Sequence, residues 1–220
     1  APIHVLPTLW FRNTWSWGGK DERPLLELAA QADTYSVIAA SHPKLGQRYF
    51  YCEGFGGDSA DAGSVGHEQG ATLLFTENET NSERVFGSPN GSPYVKDGIN
   101  NYVVHGHHDA VNPEKKGTKA SAHYRITVGA GESQTLRLRL SDVQPAALNG
   151  GVGWAPPTDR SEALVGGAHP TGPFGTSFDD VMRARKQEAD EFYASITPPA
   201  MSADAANVMR QALAGMLWSK

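Results

Sequence analysis

Between Pro145 and Gly175 the hydrophobic period of this chain changes from two to about 3.6, and few folds accommodate such a change. Before it, Val5, Leu9 and Phe11 share one parity, as do Leu73 and Phe75. Leu136, Leu138 and Leu140 are expected to face inward, with Arg137 and Arg139 outward. Half-buried antiparallel strands alternate in this way. After it, Phe178, Val181, Met182, Ala189, Phe192, Tyr193 and Ile196 recur at helical spacing, followed by Val208, Met209, Ala212, Leu213, Met216 and Leu217. The expected fold is mainly β with C-terminal helices. An antiparallel β-sandwich occupies 1–144, a Gly/Pro-rich linker 145–176, and two amphipathic helices 177–220.

Within the β region, Pro7 implies an edge or a bulge, because proline cannot donate to a ladder. The run 25–32 has helical spacing, whereas 34–40 and 47–55 are β-branched or aromatic and read as strands. A Gly-rich loop over 54–70 precedes a strand over 71–77. The turn-rich stretch 87–98 is expected to be a mobile loop, and strands are expected over 101–105, 119–128 and 134–140. Ser177 and Ser202 are placed to cap the two helices, and Thr197-Pro198-Pro199 stops the first. Two such helices facing nothing else helical would leave their apolar stripes uncovered, and both ends of the chain are expected to be cut from a longer product.

With 220 residues and a net charge of -5, the chain can bury a core but lacks the basic balance that nucleic acid or an anionic membrane surface requires. No run approaches a membrane span of about 20 apolar residues. The single cysteine, Cys52, cannot form an internal disulfide and sits in an aromatic strand, so it reads as a buried hydrophobe in a cytoplasmic protein.

Three of the five tryptophans crowd into Leu6–Gly18, L-P-T-L-W-F-R-N-T-W-S-W-G. In an extended segment Trp15 and Trp17 would share a face, and with Trp10, Arg12 and Asn13 they combine flat rings and polar groups in the way a sugar ring requires. The densest carboxylate group is Glu77, Glu79 and Glu83, interleaved with Asn78 and Asn81. Glycoside hydrolysis needs two carboxylates across one bond, but Glu77 and Glu79 would lie side by side with no room between them. These two segments are expected to meet at one end of the sandwich, as a polar rim where loss of Arg12 or Glu79 leaves melting nearly unchanged. The cluster His105, His107, His108 and Asp109 resembles metal ligands by type but has no second group at ligand spacing, and His4, His67 and His123 are scattered. No metal and no cofactor is expected. Asn78-Glu79-Thr80 and Asn90-Gly91-Ser92 fit the glycosylation pattern by chance.

The tryptophan segment, L-L-F-T-E-N-E-T-N-S-E-R-V-F-G (Leu73 to Gly87), K-D-G-I-N-N-Y-V-V-H-G (Lys96 to Gly106), E-A-D-E-F-Y (Glu188 to Tyr193) and V-M-R-Q-A-L-A-G-M-L-W-S-K (Val208 to Lys220) together resemble the N-terminal half of long bacterial proteins of glycoside hydrolase family 63, the processing α-glucosidase family. The resemblance covers nearly the whole chain except the stretch from about 145 to 175. It implies an N-terminal β-sandwich, with earlier strands before Ala1, leading into an (α/α)6 barrel where α-glucosidic bonds are hydrolysed with inversion. It also implies that the acid and base lie on the barrel, so no residue here is catalytic. The partners it implies are an α-glucoside in the full-length protein and the missing catalytic (α/α)6 domain, with no nucleic acid and no membrane. The alternative is a stand-alone carbohydrate-binding or interaction module that uses the Trp10–Trp17 face.

Overall fold

The computed structural model describes residues 2–16, 21–54, 71–149 and 172–218. Trp17, His67, the 17–20 turn, nearly all of the 54–70 loop and most of the 145–175 stretch therefore lie outside the described residues. The chain divides into two compact units, one built from the sheets and the other from the C-terminal helices.

The first sheet is built on β8 (Lys119–Ile126). Along one edge β8 pairs antiparallel with β1 (Ile3–Val5) and then β2 (Thr8–Trp10), and along its other edge with β6 (Thr72–Thr76). Pro7 falls between β1 and β2, where a donor is missing, and its carbonyl still accepts from the Ala122 N–H at 3.0 Å. The interruption expected at Pro7 is thus one bend in a single edge.

The second sheet has the order β7 (Lys116–Gly117), β3 (Leu25–Gln31), β4 (Tyr35–His42), β5 (Gly46–Glu53), β9 (Leu138–Ser141), all antiparallel. The two sheets share one core, in which Leu26, Ile38 and Cys52 meet Leu73, Phe75, Ala122 and Tyr124, with Val5, Leu9 and Phe11 packed against it. Burial pushes the Cys52 thiol up to about 12, as expected of a cysteine that serves as packing. Beneath the other face of β6, Leu74 packs on Ile99 and Val111.

Four local expectations change. The run expected to be helical is strand β3, where exposed and covered residues alternate and the register shifts between Leu28 and Ala30. Its composition suits a helix, but its neighbours β4 and β7 supply a ladder on both sides, which outweighs propensity. The strand expected over 101–105 is instead helix α2 (Gly98–His105), which ends at Gly106 in the left-handed region with φ 68°. Its apolar side, Ile99, Tyr102 and Val103, covers Leu74. The third change is in β9, which begins only at Leu138. Leu136 and Leu138 reach the core, but Leu140, opposite half-buried Phe50 on this edge strand, is 58% exposed. The fourth is the stretch 87–98, which is tied down through Glu77 N–H to Tyr94 C=O at 2.7 Å and Lys96 N–H to Glu79 C=O at 3.0 Å. The short helix α1 (Ser82–Phe86) precedes it, and helix α3 (Pro145–Asn149), inside the expected linker, buries Leu148.

The helical unit consists of α4 (Thr176–Ile196) and α5 (Ala203–Trp218). Gly175, not Ser177, holds the cap position of α4, so Ser177 lies inside the first turn. Thr197 ends α4 and Ser202 caps α5, its hydroxyl accepting from Ala205 N–H at 3.3 Å. Asp190 receives Lys186 at 2.5 Å and Arg210 at 2.6 Å, and Arg210 also lies 4.8 Å from the centre of the Tyr193 ring. The two Arg210 contacts join the helices, yet neither helix contains a buried residue, and Val208, Met216 and Leu217 are exposed.

Candidate functional site

Where β2 and β6 run out, their polar continuations interlock. Asn78 Nδ2 donates to Phe11 C=O at 2.8 Å, and Asn13 Nδ2 donates back to Asn78 C=O at 3.0 Å. Trp15 Nε1 donates to Glu79 Oε1 at 3.0 Å. Asn13 also closes a turn, its Oδ1 accepting Ser16 N–H at 3.0 Å, so the chain bends here and does not present a flat, extended row of rings. The structure thus brings Asn13, Trp15, Glu77, Asn78 and Glu79 together. Asn81 sits beside them and serves the local backbone. Its Oδ1 accepts Arg84 N–H at the start of α1, and its Nδ2 donates to Asp97 at 3.2 Å.

Arg23 holds this lattice together, and nothing in the sequence pointed to it. Its guanidinium lies 2.6 Å from Glu77 Oε2 and 3.3 Å from Glu79 Oε1, between the two carboxylates. Thr118 supplies a second partner, its hydroxyl donating to Glu77 at 2.8 Å and accepting from Asn78 N–H at 2.8 Å. A pair with a cation between its members cannot hold a glycosidic bond there. The Glu79 side chain is only 20% exposed and its Oε1 takes both Arg23 and Trp15, so its loss is now expected to lower melting, against the expectation from sequence. The glycosylation pattern at Asn78 likewise falls on an amide already in use.

On the outer side of the same segment, Trp10, Arg12 and Trp15 line a cavity of about 300 Å³ with Asp21, Glu22, His42 and Lys44. Trp10 is 56% exposed. Phe11 packs on the His42 ring at 4.9 Å, and Lys44 pairs with Asp21 at 3.2 Å. Hydrogen bonds from Lys44 and then Thr14 hold the Asp21 carboxyl below its usual range. His42 Nδ1 accepts the N–H groups of Lys44 at 3.1 Å and Leu45 at 3.3 Å, which places the ring proton on Nε2.

The histidines rearrange relative to expectation. His4 and His123, scattered in sequence, stack with 2.7 Å between Nδ1 and Nε2, one on β1 and the other on β8. Burial, then His4 and Arg125, lower the His123 value. His105 and His107 have ring centres 5.7 Å apart, and His108 stands edge-on to Tyr102. Among the described residues no group of three or more His, Cys, Asp or Glu is placed to hold a metal. Among the same residues no helix is long and apolar enough to cross a membrane.

The class these features define is a mainly β domain of two antiparallel sheets, with a pair of C-terminal helices in a separate unit. In sequence the chain is 34% identical over 228 aligned positions to the uncharacterized protein YMR196W of Saccharomyces cerevisiae, and the match covers 99% of this chain. The chain spans 19% of that relative's length. No family model matches the chain, and no solved structure matches it.

Proposed function

We propose that this chain is a non-catalytic β-sandwich segment of a cytoplasmic, glucosidase-type glycoside hydrolase acting on α-glucosidic bonds, as its resemblance to glycoside hydrolase family 63 implies. In this role it supports and shapes an (α/α)6 catalytic barrel that lies elsewhere in a longer protein. The observation that carries the proposal is the helical unit. Helices of 21 and 16 residues keep their apolar stripes and contain no buried residue, the condition of helices that pack on further helices. Arg23 between Glu77 and Glu79 supports the non-catalytic part, since the densest carboxylate pair is committed to structure. The interlocked Asn13, Trp15, Asn78 and Glu79 then act as a rim that fixes the sandwich end beside the barrel. Trp15 donates to Glu79, which favours this reading over a module that uses the whole tryptophan segment as a sugar platform.

The test is turnover on nitrophenyl and disaccharide α-glucosides. The purified chain is expected to release no glucose, and a longer product of its reading frame is expected to release it. Turnover by the chain alone that disappears in Glu77→Gln or Glu79→Gln, or a longer product inert on every α-glucoside, would overturn the proposal.

A further inference from the structure

We propose that the cavity between Trp10 and Lys44 is a binding site for a neutral saccharide, taking one or two pyranose rings. This assignment does not depend on the glucosidase reading. Its size, about 300 Å³, lies at the small end of ligand pockets, which run from roughly 300 to 1,000 Å³.

The chemistry of the lining selects the ligand. Trp10 offers a large exposed ring with no partner among the described residues, the surface on which the C–H face of a sugar stacks. Two cations, Arg12 and Lys44, face two carboxylates, Asp21 and Glu22, so the cavity carries no net field to attract an anion or a cation. Lys44 and Asp21 neutralise each other across 3.2 Å. Arg12 and Glu22 have no hydrogen-bond or ion-pair partner among the described residues, which leaves one strong donor and one strong acceptor. A ligand that satisfies both while covering an indole must itself donate and accept, and adjacent sugar hydroxyls do so without net charge. His42 adds a donor of fixed identity, because its Nδ1 is occupied by two backbone N–H groups and only Nε2–H remains. The cavity is also pre-formed. Trp15 is anchored through Glu79, and His42 is held by its own turn and by Phe11, so binding need not order these side chains.

Titration of the 220-residue chain with maltotriose, cellotriose and glucose 1-phosphate, followed by tryptophan fluorescence and calorimetry, tests the assignment. Saturable millimolar binding of at least one trisaccharide, nearly independent of salt and tighter than that of glucose 1-phosphate, is expected. Trp10→Ala and Glu22→Gln should each weaken it about tenfold while the melting temperature holds, since both side chains lie on the surface. Absence of saturable binding by either trisaccharide overturns the proposal, as does binding unchanged in both variants or preference for the phosphate. These outcomes are separable from the glucosidase test. A chain that binds maltotriose beside a longer product that releases no glucose sinks only the hydrolase reading, and a longer product that hydrolyses beside an empty cavity sinks only this one.

Discussion

Strand β6 and helix α4 carry equally clear apolar patterns and end in opposite conditions. Of the five residues of β6, four are buried: Leu73 and Phe75 in the core shared by the sheets, Leu74 under α2, and Thr76 where the polar lattice starts. Of the 21 residues of α4, none is buried. Periodicity states which face an element offers, but only the rest of the fold decides whether anything accepts it. β6 is accepted on both faces. α4 is stabilised chiefly along its surface, by Arg183 to Asp180 at 2.7 Å and Arg185 to Glu188 at 2.5 Å, each an exposed pair worth little.

The largest test of this contrast is amide exchange. Amides of β8 are expected to exchange only through global unfolding, which for a domain costs about 5–15 kcal/mol, whereas α5 should exchange through local opening at a small fraction of that. Protection in α5 equal to that in β8 would show that its stripe already has a complete partner surface. Next comes a matched pair of truncations. Phe75→Ala removes a fully buried ring and should cost about 3–5 kcal/mol, whereas Phe192→Ala, at a ring 48% exposed, should cost under ~1 kcal/mol by urea melts. Comparable losses would mean that α4 is packed in solution.

Within the polar region the same logic separates neighbours. Glu79→Ala strips Arg23 and the Trp15 indole of an acceptor and should cost about 1–3 kcal/mol, whereas Arg12→Ala, on an exposed and unpaired side chain, should stay within ~0.5 kcal/mol. The His4–His123 stack adds an effect that depends on pH. The His123 value lies below the ordinary 6.5, so as the pH falls past 6.5 the unfolded chain takes up the proton first. The contribution is therefore present above pH 6.5 and lost below it. Because the pair is partly solvated and screened, a loss under ~1 kcal/mol is expected between about pH 7.5 and 5.5, and His123→Asn should flatten the profile. A wild-type melt that rises over this interval would reverse the sign and refute the assignment.

Strands β4, β5, β6 and β8 and both long helices were legible because their residues satisfy local propensity and global burial at once. β3 was not, since L-L-E-L-A-A-Q contains no β-branched residue and owes its strand to partners distant in sequence. α2 was obscured by Tyr102, Val103 and Val104, yet Gly106 just past its end was a readable stop. Gly98 opens that helix where a Cβ would stand 2.2 Å from the Ala110 carbonyl, a constraint imposed by packing and invisible in the local sequence. In the polar region, the meeting of Asn13 and Trp15 with Asn78 and Glu79 followed from each segment extending a core strand. Arg23, Thr118 and the His4–His123 pair did not, because a contact across 119 residues leaves no trace in spacing.

The position of β8 has a consequence for how the molecule comes into being. β1 and β2 are made well before β8, the strand with which both pair among the described residues and whose last residue is Ile126. At about 5–20 residues per second, the nascent chain carries Ile3, Leu9 and Trp10 for seconds with no ladder to join. Over that interval the earliest strands are bare edges, the kind of surface on which neighbouring chains associate. The hairpin of β4 and β5 closes locally and needs no such wait. Crowded synthesis should therefore threaten this domain first at β1 and β2, and a chaperone that shields those two strands until β8 is made would protect it most.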